Sequence, residues 1–346
     1  MIKVSIVVPV YNVEKYVAQC LDSLINQTLK DIEIIVVSDA SPDGSIAICR
    51  SYAEKDHRVR IVEKEKNEGL GLTRNVGIEE SCGEYIAFCD SDDYVSPDTY
   101  EKMYCFAKAN QLDVCYCNYV LDNNGIINTK TGSPTEQFLY LGKANVRGFL
   151  LDMIGPQPDY PSDVKYMISS CMAMYRGEII RNHNVRFMCE RVVLSEDTIF
   201  NTDFLAHANN VGYMPDQLYF YRYNPSSLSR TFNHKKAETF ITLLSEVKGR
   251  LERYFSYDEY KLHYQRFVFY IFRLLIKYEA ILNIDGERRK YVRMRCEHPL
   301  LTDVYKEYPY SKFPIPKRLF FYCMKHKLVS ALILMSIIEN NKRKNI

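Results

Sequence analysis

The sequence predicts an α/β fold, a mostly parallel sheet with helices on both faces, followed by a C-terminal helical region. Two observations carry this. Short β-branched runs alternate with helical periodicity through the first part of the chain. That is the pattern of strand–helix–strand units whose strands are buried on both sides. After about residue 232 the strands give way to long patterns rich in Lys, Arg, Tyr and Leu, with Phe267, Tyr270, Ile271, Leu274, Leu275 and Tyr278 on one helical face. A chain of 346 residues has room for two domains of about 150 residues, placed here at 1–232 and 233–346.

The first strand is Val4–Val10. Val13, Tyr16, Val17, Cys20, Leu21, Leu24 and Ile25 then recur at spacings of three and four, which makes a helix with one apolar face. Strands follow at Ile32–Ser38, Val59–Glu63, Tyr85–Cys89 and Asp113–Tyr119, with helices between them at Gly44–Asp56 and Leu70–Ser81. A further helix is expected over Pro97–Asn110, with Ser96 as its N-cap and Pro97 at its first position. Asp122–Gly125 (DNNG) signals a hairpin turn, and the proline-rich Ile154–Pro161 reads as a loop. Ser169–Tyr175 and Leu218–Tyr221 read as strands, and Glu196–Ala206 as a helix.

Composition narrows the function. A hydrophobic fraction of 47% and a charged fraction of 25% are ordinary for a globular protein. The net charge of +2 argues against nucleic-acid binding through a broad basic field. The 11 cysteines are odd in number, lack a C-x-x-C pair and sit largely in apolar runs, so they read as reduced, small hydrophobes of a cytoplasmic protein. MIKVSIVVPVYN is not read as a signal peptide, and no run of about 18 apolar residues marks a membrane span.

In open parallel sheets, ligands sit beyond the carboxyl ends of the strands. That rule gathers Tyr11–Asn12, Asp39 and Asp90–Asp93 along one edge. CDSDDY (89–94) places Asp90, Asp92 and Asp93 directly after a strand. One reading is a solvated turn. The other is a divalent cation, since Mg²⁺ or Mn²⁺ on a phosphate takes one or two protein carboxylates. Asp90 and Asp92 would then point to one side of an extended segment.

SDASPDGS (38–45) follows the second strand. An ionised Asp39 only accepts hydrogen bonds, so at a base pocket it would favour uracil, with its N3–H, over cytosine. NEGLGLTRNVG (67–77) is neither a dinucleotide fingerprint nor a P-loop. Its glycines open a helix with Arg74 near the start, either an anion site or a salt-bridged surface loop. LSEDTIF (194–200) reads as a helix start, where carboxylates favour the dipole. YRYNPSSLS (221–229) is a turn or a phosphate clasp.

Taken in order, PVYN, S-D-x-S-x-D-G, N-x-G-x-x-x-x-R-N, D-S-D-D, E-D-x-x-F and R-x-N-x-x-S-x-S resemble glycosyltransferase family 2 over about residues 3–235. The resemblance implies a GT-A fold (a Rossmann-like mixed or parallel sheet with flanking helices), a UDP-sugar donor, Mn²⁺ or Mg²⁺, and inversion at the anomeric carbon. It assigns Pro9, Val10, Tyr11, Asn12 and Glu14 to the nucleotide pocket and Asp39 to the base. Asn67, Gly71 and Arg74 would lie near base and phosphates, Asp90 at ribose or metal with Ser91 beside it, and Asp92 on the metal. Asp197 would be the general base and Glu196 would bind donor or acceptor hydroxyls. Arg222 with Ser227 and Ser229 would clasp the pyrophosphate, and His234 is either near the metal or a surface residue. The acceptor implied is a saccharide or lipid-linked glycan of cell-surface polysaccharide synthesis.

Two other classes compete. A non-catalytic GT-A-like scaffold or nucleotide-binding protein would have lost its D-x-D or its base, and both are intact. A nucleotidylyltransferase wants a Gly-rich, Lys-containing segment after the first strand, which PVYNVEKY lacks. At the C-terminus, Leu328–Ile338 is apolar between Lys325, Lys327 and Lys342–Lys344. It is too short to span a bilayer. It reads as an interfacial helix at the inner face of the cell membrane, or as a packed helix or oligomer contact.

Overall fold

The structure, a computed structural model, describes residues 1–130, 133–166, 169–224, 234–282 and 286–344. The chain divides into two compact units: Met1–Leu150 with Tyr166–Arg230, and Leu151–Lys165 with Thr231–Ile346. The proline-rich stretch expected as a loop of the first domain thus belongs to the second unit.

The first unit opens with β1 (Val4–Val10), α1 (Val17–Ile25), β2 (Ile32–Ser38), α2 (Ser45–Ala53), β3 (Val59–Glu63), α3 (Leu70–Glu79) and β4 (Tyr85–Phe88). Every residue of β1, β2 and β4 is buried, as expected for strands covered on both faces. Then come β5 (Tyr94–Val95), α4 (Thr99–Ala109), β6 (Val114–Asn123), β7 (Ile126–Asn128), β8 (Phe138–Leu141), α5 (Lys143–Ile154), β9 (Ala173–Arg176), α6 (Gly177–Asn182), α7 (Glu196–Leu205) and β10 (Asn210–Arg222). Among the described residues these strands form one sheet in the order β3-β2-β1-β4-β9-β6-β10-β5, with β7 on β6 and β8 on β10.

The half from β3 to β4 is parallel, as the alternation predicts. The other half is mixed: β9 runs antiparallel to both β4 and β6, and β10 antiparallel to β5 and β8. Expectations failed in that half. The 218–221 segment is only the end of a strand that starts at Asn210. Of the stretch expected as a strand at 169–175, Ser170–Met172 is a 3₁₀ turn, because the Ser169 hydroxyl accepts from Cys171 N and bends the chain. Ser96 does not cap α4. Its N–H donates to Leu218 O at 2.9 Å, extending the β5–β10 pairing, and the helix begins after Asp98. The DNNG hairpin forms, with Asn124 at φ 52° and Gly125 at φ 88°, both in the left-handed region that such a two-residue turn requires.

The second unit is helical: α8 (His234–Tyr254), α9 (Tyr257–Leu282), α10 (Arg288–Cys296), α11 (Leu301–Glu307), α12 (Ile315–Lys325) and α13 (Val329–Lys344). Its core is apolar, with Val268, Phe269, Phe272, Leu275, Ile276 and Phe321 fully buried. Among the described residues no helix is long and apolar enough to cross a membrane. The 11 cysteines are free thiols, most of them buried.

Candidate functional site

The carboxyl ends of β1, β2 and β4 carry the loops that the sequence singled out. The carbonyl of Val7 accepts from Cys89 N on the β4 side, and that of Val10 from Asp39 N on the β2 side. Pro9 shares Val7's orientation, and the β4 ladder ends at Phe88, so no sheet bond is lost through its missing N–H. Pro9 and Val10 are buried, whereas Tyr11 is half exposed.

The turn after β1 is stapled to the turn after β2. Asn12 N donates to Ser41 Oγ (2.8 Å), Glu14 N to Asp43 Oδ2 (2.9 Å), and Gly44 N returns to Glu14 Oε2 (2.9 Å). Against some burial, hydrogen bonds from Ser45, Ser41 and the Glu14 N–H hold Asp43 at about 2. Asn12 at φ 54° and Ala40 at φ 54° are both left-handed, a conformation tolerated where surrounding bonds over-determine it.

Asp39 is buried and accepts from Lys64 Nζ (2.7 Å), Glu68 N (2.9 Å) and Gly69 N (2.8 Å). Those bonds outweigh burial and lower its pKa. A carboxylate has about four acceptor sites, so the loop before α3 takes most of its capacity. The expected reading of a base rests on what remains.

The start of α3 departs further from expectation. Gly69 stands at φ 105°, and a Cβ on Gly71 would lie 2.1 Å from Met188 O. The glycines therefore admit the 187–190 segment of this chain. Gly71 N donates to Glu190 Oε2 (3.2 Å), and Arg191 binds the Asn67 side chain. The helix start expected as an anion site already faces a carboxylate of this chain. Glu190 belongs to no motif, and nothing local in FMCERV marked it.

Arg74 lies at the centre of the acidic groups. It is buried, with Nη2 on Asp90 Oδ1 (2.7 Å) and Nη1 on Glu196 Oε1 (2.8 Å) and Asp197 Oδ1 (3.4 Å). One guanidinium thus joins three carboxylates from two distant motifs. Ser170 Oγ donates to Asp197 Oδ1 (2.6 Å) and Ser169 Oγ to Oδ2 (3.2 Å). Neither serine was singled out in the sequence. Burial and the neighbouring charge of Asp197, opposed by Arg74, raise Glu196 to about 7. Ser195 ahead of them is left-handed, at φ 70°.

Residues 90–93 form a turn rather than an extended segment, closed by Asp93 N donating to Asp90 O (3.0 Å). Asp90 therefore faces Arg74, while Asp92 Oδ2 accepts from Asn224 Nδ2 (3.0 Å). Burial, then the charge of Asp90, raises the Asp92 pKa. Ser91 is buried. Asp93 is buried too and accepts from Tyr219 OH (2.6 Å) and Arg222 N (2.8 Å), tying the turn to β10. Arg222, expected as a pyrophosphate clasp, donates to Asp92 O (2.8 Å) and Gln19 Oε1 (2.7 Å), between the rings of Tyr16 and Tyr94. Ser227 and Ser229 lie outside the described residues, as does the side chain of His234. Among the described residues no three His, Cys, Asp or Glu side chains converge as a metal-ligand set.

Residues 5–182 match the family model of glycosyl transferase family 2. The chain is 30% identical to the putative glycosyltransferase EpsH of Bacillus subtilis, over 97% of this chain and 95% of that protein. It is 32% identical to the poly(ribitol-phosphate) beta-glucosyltransferase of Bacillus spizizenii, over 71% of this chain and 36% of that one. Among solved structures, S. aureus TarS 1–349 in complex with UDP-GlcNAc superposes with a TM-score of 0.70 at 20% identity, covering 98% of this chain and 92% of that one.

Proposed function

The chain belongs to glycosyltransferase family 2, and from that premise we propose that it transfers a sugar, with inversion, from a UDP-sugar to a hydroxyl of a saccharide or lipid-linked glycan acceptor. The observation that carries the site assignment is the Arg74 cluster, which brings the acidic turn after β4 and the acidic start of α7 to one guanidinium. The donor diphosphate sits by Asp90 and Asp92, and the acceptor by Asp197.

Asp197 is the general base. Two serine hydroxyls and Arg74 orient its carboxylate, yet 21% of the side chain stays exposed, so an incoming hydroxyl can reach it. It takes the acceptor proton as the oxygen attacks the anomeric carbon and the bond to UDP breaks. A single displacement inverts the centre, and one base suffices. Glu196, mostly buried on Arg74, holds the position of Asp197 and offers an acceptor to sugar hydroxyls at its edge.

The acidic turn fits a divalent cation, Mn²⁺ or Mg²⁺. Burial and the charge of Asp90 disfavour ionised Asp92, and a cation beside them relieves both penalties. Two carboxylates suffice when phosphate oxygens complete the shell. The ion, when bound, neutralises charge on the leaving diphosphate, with Asp92 as direct ligand and Asp90 as its neighbour. Asp39 supplies an acceptor to uracil N3–H, and Tyr11 an exposed ring beside the base.

The related poly(ribitol-phosphate) beta-glucosyltransferase points to cell-surface polymer synthesis as the setting. The site of action we assign is the inner face of the cell membrane, reached by peripheral attachment. The deciding experiment is a UDP-sugar screen by thermal shift with Mn²⁺, followed by UDP release with candidate acceptors. Stabilisation by a UDP-sugar and acceptor-dependent release support the reading. Stabilisation only by another nucleotide class would overturn the donor assignment.

A further inference from the structure

Charge is strongly segregated along this chain. Residues 286–346 hold 14 Lys and Arg against 5 Asp and Glu, a formal +9, while residues 1–285 hold 31 against 38, a formal −7. Helix α10, RRKYVRMRC, contains no carboxylate. On it Arg289, Lys290 and Arg293 are exposed and line one open cleft of about 670 Å³ with Glu297, His298 and Val329, the first residue of α13, and Glu297 is paired with Lys327 at 3.3 Å. Lys290 is paired with Glu287. Among the described residues Arg289 and Arg293 have no carboxylate partner.

The same region exposes apolar side chains. Met294, which also lines the cleft, and Leu328, which precedes Val329, are each 44% exposed. Helix α13 buries Val329, Leu332 and Ser336 but leaves Leu334 and Ile338 outward, four residues apart on one face. Helix α12 likewise turns out Ile315, Leu319 and Tyr322. The 328–338 segment thus packs one face and leaves the other open.

We propose that the cleft between α10 and the start of α13, with its basic and apolar rim, is the docking surface of this chain for an anionic phospholipid bilayer, the cleft seating a phosphate-bearing headgroup. Unpaired cations beside exposed apolar groups match the interfacial zone of such a bilayer, where the cations meet phosphates and the apolar groups enter the acyl boundary. A soluble polyanion would satisfy the cations alone. A second copy of this face would bring Arg289 and Arg293 up against the same cations. This surface rests on the membrane-peripheral reading given above and adds where and to what the protein attaches.

The test is sedimentation of the full chain with vesicles of phosphatidylcholine alone and of phosphatidylcholine mixed with phosphatidylglycerol. Binding is expected to the mixed vesicles only and to weaken with salt. Each cation removed should cost roughly five-fold, so the combined variant Arg289→Ala, Lys290→Ala, Arg293→Ala should lose about 100-fold. All three are exposed, and an unchanged melting temperature checks that the variant folds. Leu328→Ser should weaken vesicle binding several-fold while leaving retention by soluble polyphosphate unaltered. If the wild-type chain binds no anionic vesicle, the surface and the membrane-peripheral reading fall together. If it binds and the triple variant binds equally, this surface falls and peripheral attachment stands. If soluble polyphosphate displaces the chain from vesicles and Leu328→Ser changes neither, the surface serves a polyanion and the lipid assignment is overturned.

Discussion

Two buried ion clusters in this protein are near inversions of each other. In the first unit one cation, Arg74, meets three carboxylates: Asp90, Glu196 and Asp197. In the second unit one carboxylate, Asp163, meets three cations: Arg266, Arg273 and Lys317. The Asp163 cluster is closed. Arg266 donates to the carbonyls of Tyr160 and Ser162, Lys317 to that of Pro161, and Arg273 also pairs with Glu339 (3.1 Å), and so the cations hold the proline-rich segment to α9 and α12. The Arg74 cluster is open on its acidic side, where Asp90 and Asp197 keep 28% and 21% of their side chains exposed. The structural cluster spends its excess charge on backbone carbonyls and on Glu339. The other leaves carboxylate oxygens facing solvent, which is where a cation and a substrate hydroxyl can be received.

The largest expected separation between the clusters is catalytic. Asp197→Asn should cost about 10²–10⁴-fold in transfer with UDP binding retained. Asp163→Asn should leave the transfer rate of folded protein unaltered. Near-normal transfer by the Asp197 variant would remove the base assignment. Stability should not separate the two in the same way. Breaking a buried ion pair from one side typically costs about 3–5 kcal/mol, so Arg74→Met and Asp163→Asn should both melt well below wild type. A chemical-denaturation series in which Arg74→Met is as stable as the parent would show that the carboxylates do not depend on it.

Acid and alkali should act on the clusters with opposite sign. Against burial, Arg273, Lys317 and Arg266 lower the Asp163 pKa. Its contribution is present above the ordinary carboxylate range and is lost as pH falls through it. Glu196 is raised to about 7 by burial and by Asp197. Its ionisation therefore opposes folding, and stability falls as pH rises from about 4.5 to about 7, by an amount of order 3 kcal/mol. Glu196→Gln should flatten that slope and leave the acid limb intact, which urea titrations at several pH values can read. The smallest expected effect lies at the turn. Asp92→Ala should weaken Mn²⁺-dependent UDP binding by about 10–100-fold, since even indirect metal partners cost that much. Calorimetry with and without Mn²⁺ that shows no difference would place the ion elsewhere.

The two clusters also differ in how much of them was legible. Asp90, Arg74, Glu196 and Asp197 each stood out within a short motif at a strand end or helix start, so the residues were readable, although their partners were not. Arg74 was expected near base and phosphates, and the contact that the sequence did not show is its hold on three carboxylates. Arg222 was expected at a pyrophosphate, and the contact that the sequence did not show is its hold on the acidic turn. Glu190, Ser169 and Ser170 gave no signal, because each acts through a contact to a residue remote in the chain. Asp163 lies just after the proline-rich Ile154–Pro161 and belongs to no motif. Its role depends on cations more than 100 residues away.

Local chemistry in this sequence determined the strands β1, β2, β3 and β4, the helices between them and the hairpin at Asn124–Gly125. Those elements follow from periodicity and turn residues within a few positions of each other. It also determined the family, through an ordered set of short motifs. Tertiary structure alone decided the mixed half of the sheet, the inclusion of Leu151–Lys165 in the helical unit, and which carboxylates share Arg74. The reason is physical. A carboxylate in a motif states what it can bind, but burial and the nearest charge decide what it does bind, and both are set by residues that the fold, not the chain order, brings within 3 Å.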